Sequence, residues 1–113
     1  MKNKKQIKRE YKQKKPAVGV YQIRNLETGK VLIEGSTNLD TIWNRFTMEL
    51  KYGFHRNKGL QKDWKKYGKE SFEFTILSEL EIDEEEGLDL YEEAKELKEM
   101  LLEEMDTPDE LMY

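Results

Sequence analysis

Two short runs rich in β-branched and aromatic residues, Val18–Arg24 and Val31–Ser36, flank the turn sequence Asn25-Leu26-Glu27-Thr28-Gly29. Runs of this kind joined by a short turn predict an antiparallel hairpin. Side chains alternate across a strand, so Leu32 and Glu34 share one face and Val31 and Ile33 the other. A third run, Phe72–Leu77, sets Phe72, Phe74 and Ile76 against Glu73 and Thr75, which predicts a strand with one wet face.

Between these strands the period changes from two to helical. Leu39, Ile42, Trp43, Phe46 and Leu50 form one stripe, with Thr37 or Asn38 as the cap and Gly53 as the stop. Asn57 caps a second helix, which carries Leu60, Trp64 and Tyr67 on one face and ends at Gly68. After Gly87, the positions Leu90, Ala94, Leu97, Leu101 and Met105 trace one face of a long acidic helix. Thr107-Pro108-Asp109-Glu110 reads as a cap, an N1 proline and a capping-box glutamate opening a final short turn. The order is β-β-α-α-β-α. The expected fold class is α+β, a three-stranded antiparallel sheet flanked by helices.

With 113 residues the chain is sized for one domain. The 39% of charged residues exceeds the 36% of hydrophobic ones, so the core is modest, yet 11% aromatic content argues against general disorder. There is no Cys, which excludes disulfides, thiolate metal sites and cysteine nucleophiles, and a single His excludes a multi-histidine zinc site. No apolar run is long enough to span a bilayer, so no membrane partner is expected and the expected compartment is the cytoplasm.

The net charge of −4 conceals a strong polarity. Residues 1–15 hold eight basic residues and one acidic, +7; residues 16–78 hold ten and seven, +3; residues 79–113 hold two and sixteen, −14. A basic arm over 1–16, with Ile7 and Tyr11 as its only apolar anchors before Pro16, is expected to precede the folded domain at 17–113. Lys4, Lys5, Lys8, Arg9 and Lys12 are its candidate nucleic-acid contacts, for weak and non-specific binding. A protein partner is the other expectation.

Gly19-Val20-Tyr21, followed by Gly29-Lys30-Val31-Leu32-Ile33 leading into Ser36-Thr37-Asn38-Leu39, resembles the two signature strands of the GIY-YIG nuclease superfamily. Asn57 to Trp64, Tyr67-Gly68 and Phe72 to Leu77 resemble its second half, so the likeness runs from about Gly19 to Leu80. The resemblance implies a three-stranded antiparallel sheet with flanking helices. It also implies one-metal hydrolysis of DNA phosphodiesters by a tyrosine, an arginine and a metal-binding glutamate. In-line attack on a phosphodiester needs an activated water and positive charge where negative charge builds up.

Carried over residue by residue, the first tyrosine is present as Tyr21 and one family histidine as His55. The second tyrosine falls on Leu32, the arginine on Ile42 and another histidine on Phe46; the glycine that closes the second motif falls on Glu34. The metal-binding glutamate belongs on the last helix, where Glu96 and Glu99 are the candidates and Lys98 is an equally good alignment. Arg45, three residues from Ile42, lies near the same helical face and offers a partial substitute.

Each candidate has a simpler reading beside the chemical one. Tyr21 is a catalytic relic or a packed strand aromatic. Arg45 is a phosphate clamp or a surface cation. His55 is a base or a loop residue serving a local hydrogen bond. Glu96, Glu99 and Glu34 are metal ligands only in an active enzyme, and the two helix glutamates are otherwise a solvated acidic face. The apolar replacements Leu32, Ile42 and Phe46 favour a degenerate GIY-YIG domain without nuclease activity, a binding or scaffold module needing no cofactor. The alternative is a divergent endonuclease requiring Mg²⁺ or Mn²⁺.

Overall fold

Strand β1 (Val18–Asn25) and strand β2 (Val31–Ser36) form the hairpin, paired antiparallel from Gly19 opposite Ser36 to Arg24 opposite Val31. Asn25 builds the turn: its Oδ1 accepts from the backbone N–H of Glu27 at 2.9 Å, and its carbonyl accepts from Gly29 at 2.8 Å. The computed structural model describes residues 17–80, 87 and 89–113. The basic arm, with Lys4, Lys5, Lys8, Arg9 and Lys12, lies outside the described residues.

Helix α1 (Leu39–Tyr52) and helix α2 (Lys58–Tyr67) follow, then strand β3 (Phe72–Leu80) and helix α3 (Leu90–Met105). Short 3₁₀ turns stand at Lys69–Ser71 and Asp109–Leu111. β1 is the central strand, with β2 and β3 antiparallel on either side. The expected order β-β-α-α-β-α and the α+β class are thus both present.

The two faces of the hairpin bury separate cores. Tyr21, Ile23 and Leu32 pack with Leu39, Phe46, Leu50, Leu60 and Trp64, so α1 and α2 cover that face. Val20, Val31 and Ile33 pack with Leu97, Leu101 and Leu102 of α3 on the other. The stripe of α1 is therefore a core stripe, as its spacing predicts. Gly53, at φ 82°, ends α1 with its N–H directed to Glu49 and Leu50 carbonyls. Asn57 Oδ1 caps α2 by accepting from Leu60 N–H at 3.0 Å.

Four local expectations are corrected. β3 runs to Leu80, and a bulge interrupts its register: Val20 faces Ser78 but Tyr21 faces Ile76. The extra residue turns Leu80 to the α3 side, where Leu77 also packs, while Ile76, opposite Tyr21, is 45% exposed. Met105 is also exposed, because the helix stripe drifts beyond the end of the sheet; Leu102 packs instead. The last turn begins at Pro108 and has no side-chain cap, so Thr107 does not serve as one. Thr37 does not cap α1: the flanking residue is Asn38, which makes no side-chain cap bond, and its N–H is held by Ser36 Oγ at 2.9 Å.

The C-terminal residues tie back to the hairpin. Met112 bridges to Val31, and Tyr113 N–H donates to the Val31 carbonyl at 2.9 Å. The Tyr113 hydroxyl donates to Asp63 Oδ2 at 2.7 Å and accepts from the buried Asn25 Nδ2 at 3.0 Å. Among the described residues no helix is long and apolar enough to cross a membrane.

Candidate nucleic-acid interface

A cleft of about 440 Å³ opens where β2 runs out, between α1 and α3. Tyr21, Glu34, Ile42, Arg45, Phe46 and His55 all line it. The fold therefore brings together most of the positions the motif alignment singles out. Leu32 lies deeper, buried in the core beneath them.

Close packing of α3 on β2 sets the cleft's far wall. A side chain at Gly35 would come within 3.0 Å of the Ala94 carbonyl, so a glycine there lets the helix cross the strand at close range. Ala94 and Lys98 are four residues apart and share one helix face. That contact carries Lys98 over the strand end, where its Nζ donates to Glu34 Oε2 at 3.2 Å. Arg56 Nη2 stands 3.5 Å from the same oxygen, from the opposite side of the cleft. Glu96 and Glu99 are exposed and do not line the cleft. Of the three residues the alignment offers on α3, Lys98 is the one that lines the cleft. With Ala94 packed on Gly35, Glu96 and Glu99 lie on the solvent side of α3.

Tyr21 is 2% exposed, with its ring edge-on to Phe46 at 5.7 Å and tilted against Phe74 at 5.5 Å. Burial, and then the Glu34 charge, push its phenol far above the ordinary tyrosine value. His55 is buried and tilted against Phe46 at 4.3 Å. Its Nδ1 accepts from Asn57 N–H at 3.0 Å, and the His55 backbone N–H donates to Gln61 Oε1 at 3.1 Å. Gln61 Nε2 in turn donates to the Leu50 carbonyl at 2.8 Å. Burial lowers the His55 pKa, and these hydrogen bonds hold the loop between α1 and α2 in shape. Arg45, whose side chain is 76% exposed, pairs with Glu49 one turn on at 3.5 Å.

The cleft thus carries four cations, Arg45, Arg56, Lys95 and Lys98, against Glu34 and Glu49. Sequence reasoning misses Lys95 and Arg56. A lysine inside the stripe Ala94, Leu97, Leu101 is the signal that would have favoured Lys98. The one carboxylate on the strand is already shared by an ammonium and a guanidinium. Among the described residues no three His, Asp or Glu side chains gather as ligands.

No protein-family model matches the chain. Over 62 residues it is 34% identical to intron-associated endonuclease 1 of Enterobacteria phage T4, a match covering 55% of this chain and 25% of that protein. The chain thus spans about a quarter of that relative's length. The catalytic domain of homing endonuclease I-TevI superposes with a TM-score of 0.67 at 25% identity, over 85% of this chain and 95% of that domain. A point mutant of the same domain matches with a TM-score of 0.55 at 29% identity, over 75% and 88%.

Proposed function

We propose that this chain, whose GIY-YIG superfamily membership these likenesses support, is an endonuclease-like domain that does not hydrolyse phosphodiesters and serves as a binding or scaffold module. The observation that carries this reading is the Lys98–Glu34 pair at 3.2 Å. A hydrolytic site of this family needs a divalent ion held by a helix carboxylate, and here the helix presents an ammonium to the strand carboxylate instead. A metal entering the cleft would have to displace Lys98 and Arg56 from Glu34 before finding a ligand. Leu32, Ile42 and Phe46 supply hydrocarbon where a nuclease uses hydroxyl, guanidinium and imidazole groups. The buried Tyr21 phenol holds its proton too firmly to activate a water near neutral pH.

A second reading, a divergent Mg²⁺- or Mn²⁺-dependent DNA endonuclease using Tyr21, Arg45, Glu34 and a helix carboxylate, draws support from the four cations that line the same cleft. Incubation with supercoiled plasmid and either ion separates the two. No nicking above background is expected. Metal-dependent nicking that disappears in Tyr21→Phe or Arg45→Ala would reject the first reading in favour of the second.

A further inference from the structure

Outside the cleft, one face of α2 is uniformly basic. Lys58, Lys62, Lys65 and Lys66 are all exposed, and Lys69 continues the row beyond Gly68. Lys58, Lys62 and Lys65 follow the i, i+4, i+7 spacing of a single stripe, which covers about 10 Å of helix axis. The core side chains Leu60, Gln61 and Trp64 occupy the opposite face. Among the described residues none of these lysines makes an ion pair. The acidic residue of the helix, Asp63, is turned away and held by the Tyr113 hydroxyl at 2.7 Å. A row of unpaired like charges opposes its own folding slightly, so its neutralising partner is to be sought outside the domain.

Beside this row lies a shallow pocket of about 510 Å³ between α1 and α2. Asn44, Thr47, Met48, Tyr52 and Trp64 line it together with Lys51 and Lys69, and Lys51 Nζ lies 5.6 Å from the centre of the Tyr52 ring. Met48 is 61% and Tyr52 64% exposed, and the ring of Phe54, equally exposed, lies parallel to that of Tyr52 within 10°. Exposed rings flanked by lysines are what an unpaired base and its phosphates require: a stacking surface and nearby positive charge. A fully paired duplex offers phosphates but keeps its bases from such a pocket.

We infer that the α1–α2 pocket and the α2 lysine row bind single-stranded nucleic acid, with a base stacked on Tyr52 and phosphates along Lys58, Lys62 and Lys65. This deepens the binding-module reading by naming a partner and a surface away from the cleft. Plasmid nicking reports on the cleft, so the failure of either idea is visible separately.

The test is fluorescence anisotropy of the full chain with a labelled thymidine oligonucleotide and with a mixed-sequence strand in single and duplex form. The single strand is expected to bind more tightly than its duplex. Tyr52→Ala is expected to weaken single-strand binding about tenfold. Lys62→Gln/Lys65→Gln is expected to make the slope of log affinity against log salt shallower by about 1.4, since each phosphate on a single strand contributes about 0.7. All three positions are exposed, and unchanged circular dichroism verifies that the variants fold. Absence of single-strand binding, or binding unmoved by both variants, overturns the inference. So does self-association in sedimentation that the lysine variant abolishes while nucleic-acid affinity stays unchanged. That result gives the basic face to the acidic helix of a second copy.

Discussion

Replacing Lys98 by Met removes the ammonium and keeps the aliphatic stem, so it isolates the charge at the far wall of the cleft. At 3.2 Å the gross attraction to Glu34 is about 5 kcal/mol at an effective dielectric constant of 20. Side-chain exposures of 28% and 24% show that water already solvates part of both groups, so most of that figure is offset by desolvation. Arg56 remains 3.5 Å from Glu34 in the variant, but its own side chain is 79% exposed and screened. The expected net loss is about 1 kcal/mol, a fall in melting midpoint of about 4 °C for a domain of this size. A thermal double-mutant cycle with Glu34→Gln measures the pair directly, and a coupling of about 1 kcal/mol is expected. Repeating it at high salt should leave most of the coupling, since a half-buried pair is screened less than a surface one. A coupling below about 0.3 kcal/mol would refute the argument, because Glu34 would then be free to hold another cation.

Gly19→Ala should cost about 3 kcal/mol or more, because the added methyl collides with the Ser78 carbonyl and comes within 2.9 Å of the Glu79 Cα; chemical denaturation measures it. Tyr113→Phe should cost about 1–2 kcal/mol by releasing Asp63 and Asn25 from the shared hydroxyl. Burial pushes the Tyr113 phenol up to about 12, so its contribution is complete below about pH 10, where the unfolded phenol titrates, and is lost as pH rises towards 12. Unfolding titrations of both proteins across that range should converge at the alkaline end. His55, the single histidine, gives one imidazole C–H resonance in the proton spectrum, and its midpoint should lie below 6.5. With its folded pKa depressed, its share of stability is present above about pH 6.5 and lost as pH falls through the lower folded value, a loss that His55→Gln should reduce.

The elements were legible because local rules agreed with the tertiary result. Val31 to Glu34 alternate as a strand covered on both faces, and Leu39, Phe46 and Leu50 face a sheet from a helix. What the sequence hid depends on contacts distant along the chain. The bulge opposite Val20 and Tyr21, which puts Leu80 on the α3 side, has no local marker. The register of α3 depends on how closely Ala94 approaches Gly35, a contact 59 residues apart in the numbering and invisible to periodicity. Nothing in the local sequence marks Tyr113 as the residue at whose hydroxyl Asn25 and Asp63 meet. In the cleft, residue types were readable at Tyr21, Glu34, Arg45 and His55, but their burial and partners were not.

The parallel bridge between Met112 and Val31 bears on a hazard common to small sheets. A margin strand with open N–H and C=O groups is a template on which another chain can extend the sheet, the first step of aggregation. At β2 the chain's own last residues occupy part of that template, through Val31 to Met112 and the Tyr113 N–H. At β3 the outer residues Glu73 and Glu79 place charge along the other margin. Removing Met112 and Tyr113 would therefore do more than loosen a turn. It would uncover β2 as an addition site, and the shortened chain should form soluble oligomers or precipitate at concentrations where the intact chain stays dispersed.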